Sequence, residues 1–91
     1  MYLHLGSNAV VPHAAVIGIF DLEFTSQSRQ TKRFLARAER EGLVEAVSND
    51  LPASFILCQR DGAARIYLSP ISTATLAKRF AEMTGFPWGE R

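Results

Sequence analysis

Residues 29–40 divide their side chains between a basic side and a second side that is mostly apolar. Half of the ten Lys and Arg residues of the chain lie in this stretch, namely Arg29, Lys32, Arg33, Arg37 and Arg40. At about 100° per residue, these five occupy an arc of roughly 140° on a helix. The opposite side carries Thr31, Phe34, Leu35 and Ala38. A helix of this kind gains most of its stability by packing its apolar side on a core, so the rest of the chain must supply that surface.

The surrounding sequence predicts strands that can provide such a surface. Short apolar runs at residues 2–5, 9–11, 15–20, 43–47, 54–58 and 64–68 predict six strands. Gly6-Ser7-Asn8 and Arg60-Asp61-Gly62-Ala63 predict hairpin turns. The run at 15–20 is apolar on both faces, which favours a central strand. The pattern predicts an α+β fold with a mostly antiparallel sheet of about five to six short strands, one long basic amphipathic helix and a C-terminal helix.

Both helices carry terminal signals. Thr25, Ser26 and Ser28 are candidate N-caps for the basic helix, and Gly42 suits its C-terminal end. Ser72 can cap the second helix, which is predicted from 73 to about 83 with Leu76, Phe80 and Met83 on one face. A chain of 91 residues supports one modest core, so residues 1–84 are predicted to form a single domain.

Residues 85–91 are predicted to be a separate C-terminal aromatic tail containing Phe86-Pro87-Trp88. Such a segment either folds back, meets a partner or lacks order, and the sequence leaves these alternatives open.

Composition indicates a cytoplasmic protein. Cys58 is the single cysteine and lies in an apolar run, which is typical of a buried thiol in a reducing compartment. The beginning of the sequence shows no basic segment followed by an apolar one, so no signal peptide is predicted. No apolar run approaches the roughly 20 residues that span a bilayer, and no membrane partner is expected.

The residues that could carry catalysis or bind metal are sparse. His4 and His13 have no Cys, Asp or Glu at metal-ligand spacing, so no metal site is predicted. Cys58, paired with a histidine, could act as a nucleophile, but its apolar strand indicates inert packing. Ser69 and Ser72 lack the glycines of a nucleophile elbow, and they are interpreted as a strand end and a helix cap.

Two carboxylates leave one catalytic alternative open. Asp21 and Glu23 would share one side of an extended chain and could bind a divalent ion if both faced one cavity. Acids that precede a helix are the simpler interpretation. No glycine-rich phosphate loop is present. The chain is therefore predicted not to be an enzyme, with no cofactor and no small-molecule substrate.

The basic side of the helix is the candidate binding surface. The net charge of the chain is only +1, whereas residues 29–41 set five cations against Glu39 and Glu41. Four of the five cations are arginines, which bind phosphate or carboxylate groups bidentately. Double-stranded DNA, an acidic face of a neighbouring subunit and plain solvent are alternatives that fit this pattern.

Several segments taken together are similar to a known family. They are Tyr2-Leu3-His4-Leu5-Gly6, Ile17-Gly18-Ile19-Phe20-Asp21-Leu22, Pro52-Ala53-Ser54-Phe55-Ile56-Leu57 and the stretch from Tyr67 to Arg79. As a set, they resemble the small bacterial RemB-like proteins, relatives of the extracellular matrix regulator RemA. The resemblance covers residues 2 to about 80 and does not extend into the tail.

The resemblance implies a bacterial regulatory protein related to biofilm matrix activators. RemA-type proteins form closed rings of identical subunits and bind DNA through arginines repeated around the ring, so a homo-oligomer is expected. This sequence departs from RemA where RemA carries those arginines, because the corresponding segments are Asn49-Asp50-Leu51-Pro52 and Ala14-Ala15-Val16. Two functions therefore remain open: a DNA-binding oligomer that uses the basic helix, or an oligomeric interaction module that uses it for subunit contacts.

Overall fold

The structure, a computed structural model, describes residues 1–25 and 28–84. Side chains are described in those ranges except at residues 24, 25, 83 and 84. The elements in chain order are β1 (Tyr2–Gly6), β2 (Ala9–Pro12), a 3-10 turn (His13–Ala15), β3 (Val16–Asp21), α1 (Leu22–Thr25), α2 (Arg29–Arg40), β4 (Val44–Ala46), β5 (Ser54–Arg60), β6 (Ala63–Ser69) and α3 (Thr73–Thr84). The α+β class and the two main helices are confirmed, and the tail at 85–91 lies outside the described residues.

The six strands form two sheets instead of the one that the sequence predicts. β1 and β2 pair as a two-stranded hairpin, and the other four strands take the order β3-β5-β6-β4. β3 with β5 and β5 with β6 are antiparallel, whereas β4 runs parallel to β6. The parallel pair arises because α2 carries the chain across one face of the sheet between β3 and β4, as a crossover connection does.

The prediction of a central β3 is wrong, because β3 lies at an edge of the four-stranded sheet. Its two-sided apolar pattern has another cause, because residues on both of its faces pack against apolar side chains. Val16 and Ile19 pack on one side, and Phe20 packs on the other. A register shift between Val16 and Gly18 accompanies the 57% exposure of Ile17. An apolar pattern thus reports cover above and below a strand, and not its number of neighbours.

The core has two parts, one on each face of the four-stranded sheet. Alternation along β5 sends Ile56 and Cys58 to one face and Phe55 and Leu57 to the other. We call the first the covered face, because the β1–β2 hairpin and α3 pack on it through the buried residues Leu3, Leu5, Val11 and Leu76. We call the second the α2 face, where Ala38 of the helix meets Phe55 and Ile66.

Buried serines fasten the hairpin side of the molecule. The Ser69 hydroxyl donates a hydrogen bond to the Leu5 carbonyl and accepts one from the Ile71 N–H. The Ser54 hydroxyl donates to the Ile71 carbonyl at 2.8 Å. These bonds join β1, the end of β6 and the segment before α3. The interpretation of Ser69 as a strand end is confirmed, because β6 ends there.

Turn and cap predictions agree with the structure where it describes them. Asp61 and Gly62 both have positive φ (53° and 79°), as a two-residue turn of type I′ requires between β5 and β6. The Ser72 hydroxyl accepts a hydrogen bond from the Thr75 N–H at 3.2 Å and caps α3. In the ranges 1–25 and 28–84, no helix has both the length and the apolar character needed to cross a bilayer.

Candidate functional site

The basic helix α2 has well-defined ends. Ser28 is its N-cap, because the Ser28 hydroxyl accepts from the Thr31 N–H at 3.4 Å and the Ser28 carbonyl accepts from the Lys32 N–H at 3.0 Å. At the other end, Gly42 has φ +74°. Bonds from Gly42 N–H to the Glu39 carbonyl and from Leu43 N–H to the Ala38 carbonyl form a Schellman motif. Among the three cap candidates, Thr25 lies in α1 and Ser26 lies outside the described residues.

All five predicted cations are exposed on α2, and together they form what we call the basic stripe: Arg29, Lys32, Arg33, Arg37 and Arg40. The Arg37 Nε atom lies 3.1 Å from Glu41 Oε2, and both of these side chains are at least half exposed. Within residues 1–25 and 28–84, the other four cations make no ion pair. An exposed pair of this kind contributes about 0–1 kcal/mol, so the stripe keeps nearly all of its charge available.

The opposite side of α2 is less buried than the sequence predicts. Ala38 is buried, and Thr31 and Leu35 are half-buried, as expected. Phe34 contradicts the prediction, because 45% of its surface remains exposed. The helix lies nearest β4, and towards β3 an open groove over Phe20 leaves the Phe34 ring partly exposed. Phe34 and Leu35 stand at opposite borders of the apolar arc, and Leu35 is half-buried, so the border position alone does not signal exposure.

An open groove lies over the part of the sheet that α2 leaves uncovered. We call it the α2 groove: it has a volume of about 300 Å³ and is lined by Phe20, Gln30, Thr31, Phe34, Phe55 and Leu57. The rings of Phe20 and Phe55 stack along its floor, with centroids 4.8 Å apart. Beyond Phe34, the surface continues past Arg37 and Glu41. The sequence alone does not reveal this groove, which lies directly beside the basic stripe.

Asp21 and Glu23 do not share the geometry that a divalent-ion site would need. The chain becomes helical at Leu22, so the two residues are no longer on one side of an extended segment. The Asp21 carboxylate accepts a hydrogen bond from the Glu23 N–H at 2.8 Å, which places it over the first turn of α1. Glu23 itself is exposed. Among the described residues, no three His, Cys, Asp or Glu side chains group closely enough to hold a metal ion.

The remaining nucleophile and base candidates have structural positions. Cys58 is buried on the covered face, as predicted, and burial raises the pKa of its thiol even though Arg60 acts in the opposite direction. A thiol with a raised pKa is a poor nucleophile at neutral pH. The His13 ring stacks on Phe80 with centroids 3.9 Å apart. His4 is exposed, and its carbonyl accepts from Arg79 Nη1 at 3.3 Å.

Together, the fold and the exposed helix describe a small α+β domain whose candidate binding surface is a cationic helix next to an apolar groove. The family model described as RemA-like, extracellular matrix regulatory protein A-like, matches residues 2–80. The chain is also 35% identical over 79 residues to Extracellular matrix regulatory protein B of Bacillus subtilis (strain 168), which covers 87% of this chain and 89% of that protein. The chain therefore belongs to the RemA-like family, which confirms the resemblance noted in its sequence.

Proposed function

We propose that this chain is a non-enzymatic, homo-oligomeric bacterial regulatory protein that binds double-stranded DNA through the basic stripe. The observation that carries the proposal is the exposure of all five cations on one side of α2, with Arg37 as the one paired to a carboxylate among the described residues. Membership of a family named for matrix regulation supports the regulatory role. The proposal includes no cofactor and no small-molecule substrate.

Repetition of the stripe would supply affinity that one subunit lacks. A single copy has a net charge of only +1 and offers five contacts to phosphate. Copies arranged in a closed ring would present the same stripe several times to one DNA molecule, and each further contact would then form at high effective concentration. Counterion release from the phosphates would drive binding. We therefore propose that the chain must assemble into a homo-oligomer, which we propose is a ring, in order to bind DNA at moderate salt.

The test measures assembly and DNA binding on the same samples. Light scattering gives the mass of the protein alone, and fluorescence anisotropy follows a long labelled duplex titrated with protein at several salt concentrations. If all five cations contact phosphates, we expect the logarithm of affinity to fall with the logarithm of salt at a slope of about −4.5 for each bound subunit. The variant Arg33→Glu should weaken binding and flatten that slope.

A matched control uses a cation outside the stripe. Lys78 is exposed on α3, which packs on the opposite face of the sheet from α2. We expect Lys78→Glu to leave the affinity within about threefold of the unchanged protein, since it makes the same charge change away from the stripe. Equal losses for Arg33→Glu and Lys78→Glu would reject the stripe as the DNA surface. Absence of any anisotropy change at low salt would reject DNA binding.

The second candidate function is an oligomeric interaction module that does not bind nucleic acid. The α2 groove and the 45% exposure of Phe34 favour this second function. An apolar groove makes no favourable contact with DNA phosphates, whereas it can bind an apolar surface of another protein. In this case the basic stripe would pair with acids across a subunit contact. DNA would then leave the anisotropy unchanged at low salt, while reversal of Arg33 and Arg37 would change the mass measured by light scattering.

We further propose that the protein acts in the cytoplasm. The bacterial chromosome, which is the proposed DNA partner, lies in the cytoplasm. The buried, unpaired thiol of Cys58 is suited to a reducing compartment. Fractionation of cells that express the full chain tests this location directly.

A further inference from the structure

Leu51 is the most exposed large apolar side chain among the described residues, with 89% of its surface accessible. It lies in the loop between β4 and β5, next to Asp50. The loop is held in place at several points, which include a hydrogen bond from the Asp50 N–H to the Ser48 hydroxyl at 3.2 Å. Past Leu51, the Ala53 N–H donates to the Ser69 carbonyl at 2.8 Å. Leu51 is therefore presented on an ordered loop, which lowers the entropy cost of placing it in a partner.

The α2 groove offers a site of matching chemistry. Its floor is the aromatic pair Phe20 and Phe55, and its outer wall is the exposed ring of Phe34. At about 300 Å³, it is larger than the ~150 Å³ cavities that accept a benzene molecule, so an aliphatic side chain fits. On the other side of Phe34, Arg37 and Glu41 line a second, neighbouring pocket. An apolar side chain with an adjacent carboxylate is thus the ligand that this surface suits.

The loop and the groove lie at the same end of the sheet. Leu51 precedes Ser54, where β5 begins, and Phe55 already forms part of the groove floor. Two surfaces that are close together on one molecule can both be used in a single two-fold contact, because each copy then offers its loop to the groove of the other. Such a reciprocal contact buries two leucines and two grooves at once.

We propose that two copies of this chain associate by inserting Leu51 of each copy into the α2 groove of the other, with Asp50 beside Arg37. This rests on the homo-oligomeric part of the proposed function and names a contact that closes at two copies, so a ring would need a second contact between such pairs. Arg37 can turn to a new partner because its present pair with Glu41 is exposed and weak. The contact would cover the exposed ring of Phe34.

The test is sedimentation velocity over a concentration series, on the full chain and on Leu51→Ser. Because the side chain is 89% exposed, this substitution removes the contact without disturbing the fold, which far-ultraviolet circular dichroism verifies. Loss of two buried leucines should raise the dissociation constant of the pair about a hundredfold. Val10→Ser is the matched control, since Val10 is 41% exposed on the β1–β2 hairpin, and we expect a change of less than threefold.

A charge exchange tests the Asp50 contact. Asp50→Arg and Arg37→Glu should each weaken association, and the double variant should restore most of it, because the opposite charges meet again with reversed signs. Arg40→Glu makes the same charge change on a stripe residue that does not line the groove, and we expect it to leave association unchanged. Lack of rescue in the double variant would reject the Asp50–Arg37 pairing.

The outcomes separate this inference from the proposed function. A full chain that stays monomeric at every concentration would overturn both the homo-oligomer and the contact. An oligomer that is unchanged by Leu51→Ser would overturn the contact alone. If Trp88→Ser dissociates the oligomer and Leu51→Ser does not, the C-terminal tail makes the subunit contact instead of Leu51, and the inference is wrong.

Discussion

One face of the four-stranded sheet packs against Leu3, Leu5 and Leu76, which have no exposed surface, whereas the other packs against α2, where Phe34 is 45% exposed. The covered face receives two elements, the hairpin and α3, and the α2 face receives essentially one helix. A small protein gains stability by completing its core, so an incomplete cover over aromatic rings indicates a surface used for something else. We infer that the covered face mainly stabilises the fold and that the α2 face mainly binds.

The largest expected effect compares truncations on the two faces. Leu76→Ala should lower the free energy of unfolding by about 2–5 kcal/mol, because it leaves a cavity in a closed core. Phe34→Ala should cost about 1 kcal/mol, since the ring is only partly buried. Urea denaturation of both variants at one protein concentration gives the comparison. Equal losses would show that the two faces contribute alike to stability.

A smaller effect concerns the hydrogen bonds that fasten the covered face. Ser69→Ala should lower the free energy of unfolding by about 1–3 kcal/mol, because the buried Leu5 carbonyl and the Ile71 N–H both lose a partner. Ser48→Ala is the control, since its hydroxyl accepts one bond in a surface loop, and about 0.5 kcal/mol is expected. Chemical denaturation measures both. A Ser69→Ala variant as stable as Ser48→Ala would refute the fastening role.

The buried thiol makes the covered face sensitive to high pH. Burial raises the pKa of Cys58 in the folded protein above that of the unfolded chain, so the unfolded state loses its proton first as pH rises. The free energy of unfolding should therefore fall as pH rises above about 8.5, the ordinary pKa of a cysteine thiol. Denaturation curves between about pH 7.5 and 10 test this decrease. Cys58→Ala should lack this component, and an identical pH profile in both proteins would contradict it.

The smallest expected effect on stability lies on the α2 face. Glu41→Gln removes the carboxylate paired with Arg37, and the free energy of unfolding should change by less than about 0.5 kcal/mol. The same change removes a negative charge from beside the basic stripe, so the proposed DNA affinity at low salt should rise. Denaturation and anisotropy measured on one preparation would show the two results together. A large loss of stability would mean that this face is more important to the fold than its exposure suggests.

Much of the local structure could be predicted because it depends on neighbouring residues. Ser28 and Gly42 bracket α2 in the sequence as they do in the structure. The turn at Asp61 and Gly62 is set by the ease with which these residues adopt positive φ. The apolar neighbours of Cys58 predict a core position, and the residue is buried. The division into a domain at 1–84 and a tail at 85–91 stays a prediction.

What could not be predicted depends on how the elements pack together. The two-sided apolar pattern of β3 follows from packing on both of its faces, and it would fit a central strand and an edge strand alike. The separate hairpin sheet depends on where β1 and β2 pack, which their residues do not specify. Helical periodicity places Phe34 on the side predicted to be buried, but the ring is partly exposed. Periodicity gives the direction of a side chain and does not show how far the underlying surface extends.

The tight turn at Asp61 and Gly62 has a consequence for the order of folding. It joins β5 and β6, the two inner strands of the four-stranded sheet, across the shortest loop in that sheet, whereas β3 and β4 are added from segments much further away in the chain. Closing a short loop costs little entropy and happens within microseconds. We therefore expect the β5–β6 pair to form early in folding and to be present in the transition state. The four-stranded sheet would then grow outwards from its middle, and β3, which supplies Phe20 to the groove floor, would join after β5 and β6.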